Sequence, residues 1–193
     1  MSALWLASGS PRRRDLLSWA GIHLEVRPTH ADETRRAGVA PVAHARELAA
    51  RKAQAAQAPP GRVVLGADTV VHRGSEIFEK PTDPDDAVRM LTTLAGAAHK
   101  VTTGVCLRRG ARVHLLHRTT TVRFRALSPE EIAAYVATGE AADKAGAYGI
   151  QGRAGSFVAT LEGDYTNVVG LPLEATLEAL AAFDILPRSG GPS

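Results

Sequence analysis

Short apolar runs and turn-forming residues divide the chain into strand-like and helix-like segments. Ala3-Leu4-Trp5-Leu6-Ala7 is continuously apolar, as a buried strand is, and it stops at Ser8-Gly9-Ser10-Pro11. Leu16, Leu17 and Ala20 then recur at helical spacing before Gly21. Ser10 suits an N-cap, Pro11 the first helical position and Gly21 the stop, so the pattern predicts strand, tight loop and helix. A strand is predicted over 23–27, followed by a polar loop to Gly38 and an alanine-rich helix from about Pro41 to Gln57, closed by Pro59-Pro60-Gly61. Val63 to Ala67 reads as a buried strand that continues past Asp68 through Thr69-Val70-Val71. Pro84 to Leu94 carries Asp85 and Asp86 where a helix dipole favours acid, and Gly96 follows it. Residues 101–109 and 113–124 flank Arg109-Gly110-Ala111 and alternate with a period near two, which predicts a hairpin with one solvated face. Ser128 with Glu131 three residues on forms a capping-box pattern for a helix ending near Gly139. A glycine-rich stretch over 145–155 leads to a strand at 157–161, the turn Glu162-Gly163-Asp164 and a last helix over about 173–183. Helices and strands in alternation give an α/β or α+β architecture.

With 193 residues the chain suits one domain, expected over 1–187 with 188–193 as a flexible tail. Its 45% hydrophobic and 22% charged content supports a real core and excludes the disordered and collagen-like classes. The net charge of +3 is too small for a general nucleic-acid magnet, and Phe 4, Trp 2 and Tyr 3 form no basic stripe with stacking residues, so no nucleic-acid partner is expected. One cysteine, Cys106, excludes an intramolecular disulfide framework and a cysteine zinc site, which fits a reducing compartment. The sequence has no apolar stretch near the ~20 residues of a membrane span and no signal-peptide pattern at its start; a cytoplasmic protein without a membrane partner is expected.

Four regions could carry chemistry. Ser8, Ser10, Arg12, Arg13 and Arg14 sit where a strand feeds a helix N-terminus, where free N–H groups and guanidinium forks match phosphate oxygens. Arginines in a first turn oppose the helix dipole unless an anion offsets them, although an Arg run can also be a solvated face. Asp68 and Thr69 follow directly on a hydrophobic strand; a carboxylate there can be an oxygen ligand for Mg²⁺ or Mn²⁺, or can cap a turn. Only four of the 23 basic side chains are lysines: Lys52, Lys80, Lys100 and Lys144. Lys80 is held extended by Pro81, and Lys144 stands just before the glycine-rich stretch, where a compact ammonium could reach a phosphate. Glycines at 146, 149, 152 and 155 permit close backbone approach to a ligand, and Gln151 among them offers both a donor and an acceptor. The seven histidines show no metal-ligand spacing.

These segments together resemble the Maf family of nucleotide pyrophosphatases. The resemblance rests on Leu6-Ala7-Ser8-Gly9-Ser10-Pro11-Arg12-Arg13, Gly66-Ala67-Asp68-Thr69-Val70-Val71, Glu79-Lys80-Pro81, Asp143 through Gly152, and Val168-Val169-Gly170-Leu171-Pro172-Leu173, in that order along nearly the whole chain. Asp143 through Gly152 looks like the branch acting on dTTP and UTP; the branch acting on 7-methyl-GTP differs in this segment. The resemblance implies an α/β fold with an elongated mixed β-sheet flanked by helices, two lobes around a central cleft, a divalent cation (Mg²⁺ or Mn²⁺), a nucleotide substrate and commonly a homodimer. It places Asp68, Lys80 and Glu33 in catalysis, with Asp68 and Glu33 as metal ligands. It places Ser8, Arg12, Arg13, Lys52, Thr69 and Gln151 on the substrate, with Arg12, Thr69 and Gln151 tied to base selection. Arg14 and Asn167 fall where the family varies. The implied reaction is metal-assisted attack of water on the α-phosphate with departure of pyrophosphate, Asp68 serving as metal ligand, proton acceptor or both. The rival readings are a pyrophosphatase for a modified purine triphosphate such as 7-methyl-GTP, a nucleic-acid-binding division regulator, and an inactive phosphate-binding scaffold.

Overall fold

A computed structural model describes residues 3–36 and 38–188. In chain order the elements are β1 (Leu4–Leu6), α1 (Pro11–Trp19), β2 (Leu24–Val26), α2 (Pro41–Ala55), β3 (Val64–Arg73), β4 (Glu76–Phe78), α3 (Pro84–Leu94), β5 (Ala98–Arg109), β6 (Arg112–Phe124) and α4 (Pro129–Val136). Two single-turn 3₁₀ segments, Ala145–Ala147 and Arg153–Phe157, precede β7 (Val158–Glu162), α5 (Tyr165–Val169) and α6 (Leu173–Ala181). The seven strands form one mixed sheet in the order β2-β1-β3-β5-β6-β7, with β4 on the outer edge of β3. β1 runs parallel to both β2 and β3, while the remaining pairs are antiparallel. The α1 crossover makes the parallel β1–β2 pair possible, and the two-residue loop Gly110-Ala111 turns β5 into β6.

Local chemistry sets these boundaries. Ser10 caps α1 by accepting from the Arg13 N–H, Asp83 caps α3 through the Asp86 N–H, and Ser128 with Glu131 completes a reciprocal capping box on α4. Asp164 accepts from the N–H groups of Thr166 and Asn167 and so starts α5.

Two hydrophobic cores share the long central strands. Leu65 and Ala67 of β3 and Val105 and Leu107 of β5 pack with Leu4, Leu6, Leu17, Leu171, Leu180 and Phe183. Farther along the same strands, Val71 and Val101 pack with Phe78, Leu91, Leu94, Phe124, Ile132 and Tyr148. Two lobes therefore sit on one sheet and meet where β3 passes from one core to the other. β1 reaches only as far as Leu65 along the β3 edge, and β4 pairs β3 only from Val71. Between them Gly66 to Val70 has no strand on that side among the described residues. The chain leaving β1 and the chain leaving β4 diverge at this gap.

The opposite flank is fixed by small residues. Ala45, Ala49 and Ala53, at four-residue spacing on α2, are fully buried. They lie so close to the sheet that a Cβ on Gly66 would stand 2.4 Å from the Ala49 carbonyl oxygen, and one on Gly104 2.5 Å from that of Ala45. Gly104 is the cross-strand partner of Asp68. The glycines thus set the depth of α2 over the strand that carries Asp68.

The elements follow the sequence pattern closely, with three differences. β5 has no solvated face: Val101 through Leu107 are all buried, because α2 covers one side and α5 and α6 the other, while the exposure falls on Arg112 to His114 of β6. β4 and α5 are too short to show a periodicity. Arg188, placed by the sequence in a loose tail, donates its N–H to the Gly21 carbonyl; residues 189–193 lie outside the described residues.

Two outcomes follow from this packing. Gly104→Ala must displace α2 or strain the sheet, and its expected cost is about 1–3 kcal/mol, read by urea denaturation; parent-like stability would show that α2 does not rest on this position. His99 is buried with its Nε2 2.8 Å from Tyr148 Oη, and burial pushes its pKa from 6.5 down to about 4. The unfolded chain then binds the extra proton between those values, so stability falls as the pH drops from 6.5 towards 4, by up to about 3 kcal/mol. His99→Gln should flatten that slope in a pH series of urea midpoints, and an unchanged slope would locate the proton uptake elsewhere.

Candidate active site

The gap in the β3 edge opens into a cavity of about 610 Å³. All nine residues to which the family resemblance assigns a role line it: Ser8, Arg12, Arg13, Glu33, Lys52, Asp68, Thr69, Lys80 and Gln151. Successive side chains of a strand point to opposite faces, so Asp68 and Thr69 leave β3 on opposite sides. Both reach the cavity because it wraps the unpaired edge. The loop after β1 brings Ser8 through Arg13, and the loop after β4 brings Lys80. Gly146 anchors that second loop by donating its N–H to the Glu79 carbonyl at 3.1 Å.

Arg13 holds one wall. Its Nε donates to the Gly170 carbonyl (2.8 Å), Nη1 to Ser8 Oγ (3.1 Å) and Nη2 to Thr69 Oγ1 (3.0 Å). The residue is buried, and burial lowers its pKa, against the opposing pull of Asp68. The three-arginine cluster of the sequence therefore divides: Arg13 is spent on the protein itself, Arg14 pairs with Asp15 on the surface, and Arg12 faces the cavity.

The other wall is an acid–base cluster. Lys52 Nζ lies 2.7 Å from Asp68 Oδ1 and 3.2 Å from Glu33 Oε1. Both Lys52 and Asp68 expose only 13% of their side chains, whereas Glu33 is 57% exposed. Across the mouth, Lys144 Nζ donates to Asp143 Oδ1 (2.6 Å) and to the Glu140 carbonyl (2.7 Å), and its hydrogen bond holds the Asp143 carboxyl below the usual range. These pairings leave Arg12 and Lys80 as cavity cations with no ion pair, and Gln151 as an exposed amide with no hydrogen bond, among the described residues.

No group of three or more His, Cys, Asp or Glu converges on a metal position among the described residues. Asp68 and Glu33 are two hard oxygen donors turned to the same ammonium. Two carboxylates are what Mg²⁺ or Mn²⁺ takes from a protein when the ligand's own oxygens complete its shell. The donor set fits an ion that arrives with a polyanion and does not amount to a closed cage.

Two buried residues behind the site, Asn167 and Thr103, were not singled out from the sequence as functional. Asn167, read as a variable position, is fully buried: its Nδ2 donates to the Val101 carbonyl and Thr120 Oγ1, and its Oδ1 accepts from the Thr103 N–H. Thr103 bridges the Asn167 carbonyl and Thr69. The available signal was hydroxyl-bearing Thr102 and Thr103 inside a strand otherwise fit for the core.

A family model described as Maf-like protein matches residues 3–183. A dTTP/UTP pyrophosphatase of Symbiobacterium thermophilum is 47% identical over 99% of this chain and 99% of its own length. One from an Anaeromyxobacter species is 49% identical over 98% of this chain and 90% of its own. One from Koribacter versatilis is 49% identical over 95% of each.

Arg13→Ala would strip donors from Gly170, Ser8 and Thr69 at once. The expected loss is about 2–4 kcal/mol in urea denaturation, as for removal of one member of a buried charged hydrogen-bond set. A loss under half a kcal/mol, the size of an ordinary surface change, would remove Arg13 from the wall.

Proposed function

This chain belongs to the Maf family, and from that premise we propose that it is a nucleoside triphosphate pyrophosphatase that hydrolyses dTTP and UTP to the monophosphate and pyrophosphate. The observation that carries the reading is the meeting of Arg12, Lys52 and Lys80 with Asp68 in one cavity, brought from four separate stretches of chain. Phosphoryl chemistry needs mainly positioning and neutralisation of charge, which is what such a set supplies.

Arg12 and Lys80, without acidic partners of their own among the described residues, take the oxygens of the triphosphate tail. Lys52 holds Asp68 through Oδ1 alone, which leaves Oδ2 as the oxygen open to the cavity. Asp68 accepts a proton from water as the water oxygen bonds to the α-phosphorus, and the bond from that phosphorus to the bridging oxygen breaks to release pyrophosphate. A divalent cation held by Asp68 and Glu33 would lower the pKa of water and neutralise developing charge. At the mouth, Gln151 offers the donor and acceptor that a uracil or thymine edge needs, and the rejection of other edges follows from the cost of leaving such groups unpaired.

Purified protein incubated with dTTP, UTP, CTP and 7-methyl-GTP in Mg²⁺ or Mn²⁺ should yield monophosphate and pyrophosphate from the first two. Diphosphate with orthophosphate, or no product from either, overturns the reading. Asp68→Asn should lower turnover by about 100- to 10,000-fold while calorimetry still registers nucleotide binding; undiminished turnover would take Asp68 out of the reaction.

A further inference from the structure

We propose that Thr103 is a positioning residue that fixes the polarity of the Thr69 hydroxyl, so that Thr69 presents only an acceptor to the cavity and thereby selects a base that carries a ring N–H. The inference rests on the nucleotide reading above and goes beyond it by assigning the selection to a buried residue that touches no ligand.

Hydroxyl protons can be counted here. Thr103 Oγ1 lies 2.9 Å from the Asn167 carbonyl oxygen, which has no proton to give, so the single Thr103 proton must point at it. Thr69 Oγ1 lies 2.9 Å from Thr103 Oγ1. With the Thr103 proton already committed, Thr69 must be the donor in that contact. The other acceptor in reach, the Gly170 carbonyl, is farther at 3.4 Å. One lone pair of Thr69 then accepts from Arg13 Nη2 at 3.0 Å. What remains of Thr69 at the cavity is one lone pair.

Four further hydrogen bonds hold this order in place. The Asn167 carbonyl also accepts the Gly170 N–H at 3.1 Å, and the Asn167 side chain is tied to Thr103 N–H, the Val101 carbonyl and Thr120. Thr69 and Thr103 are direct cross-strand partners, so the sheet register sets their separation. Thr103 is fully buried and is absent from the cavity lining.

A fixed acceptor distinguishes bases. Uracil and thymine carry a protonated N3 between two carbonyls and can donate to it; cytosine carries a bare N3 and would set lone pair against lone pair. Replacing Thr103 by valine keeps the shape and frees the Thr69 proton to turn outward. The Asn167 carbonyl keeps its Gly170 donor, so no buried acceptor is stranded.

The test compares binding of the non-hydrolysable α,β-imido analogues of UTP and CTP, and kcat/KM for UTP and CTP, in the parent, Thr103→Val and Thr103→Ser. The parent should favour the uracil nucleotide. Thr103→Val should narrow that ratio by about tenfold, the size of one hydrogen bond exchanged for a mismatch, chiefly by improved binding of the cytosine analogue. Thr103→Ser, which keeps the hydroxyl, should restore the parent ratio. If Thr103→Val does not fold, Thr103→Ala read by the same binding ratio takes its place. An unchanged ratio in the folded variant, or an equal loss in Thr103→Ser, overturns the proposal, as does a parent that binds both analogues alike. A parent that binds the uracil analogue selectively but releases no pyrophosphate overturns the functional reading and leaves this inference standing; a parent that binds neither overturns both.

Discussion

Arg13 is gripped by groups that the chain contributes at positions 8, 69 and 170, and the site depends on that grip. A buried guanidinium is costly to desolvate unless its donors are satisfied, and here three separate segments must come together to satisfy them. The charge thus enforces geometry: the loop after β1, the middle of β3 and the turn after α5 stay in register, or the cation is stranded. Because its side-chain donors are held by Gly170, Ser8 and Thr69, Arg13 forms a wall of the cavity. Under the proposed function, the cations left for a ligand are Arg12 and Lys80, which have no ion pair among the described residues.

The cavity itself is a consequence of sheet topology. A strand edge left open in mid-sheet would ordinarily invite another strand. Here the edge of β3 is open only from Gly66 to Val70, and the diverging loops from β1 and β4 frame it. An exposed edge lets one strand send consecutive side chains from both faces into the same space, which a fully paired strand could not do. This is how Asp68 and Thr69, with opposite orientations, share one site. Close seating of α2 on Gly66 and Gly104 then delivers Lys52 to Asp68.

Much of this was legible in the sequence because the signals were local. Ser10-Pro11 and Ser128-Pro129 mark helix starts by hydrogen bonds that span three residues and stand where they were expected, and the helix expected from Pro84 is capped by Asp83. All nine candidate site residues share the cavity. What escaped is what depends on partners far along the chain. Besides nearby Ser8, what distinguishes Arg13 from Arg12 and Arg14 is the distant pair Gly170 and Thr69. Asn167 offered no local signal, since its partners lie at 101, 103 and 120. The expected solvated face of β5 failed for the same reason: alternation reports a strand, but what covers each face is decided by α2, α5 and α6.

The acid–base cluster explains why a site with so many cations can remain ordered. Two carboxylates facing one space repel each other, and Lys52 Nζ between Asp68 and Glu33 relieves that repulsion. The same contact consumes one oxygen of Asp68 and orients the other. Were Lys52 absent, Asp68 would be free to rotate and would present either oxygen to incoming water, so the lysine contributes orientation as well as charge. Under the proposed function, a triphosphate entering between Arg12 and Lys80 would add negative charge next to this cluster and strengthen the demand for a cation at Asp68 and Glu33. Asp68 and Glu33 are the two carboxylates in contact with Lys52, so under the proposed function the affinity for a divalent ion would rise when the phosphates are present. Ion and nucleotide binding would then be reciprocally coupled, as linkage requires of any two ligands that stabilise one another.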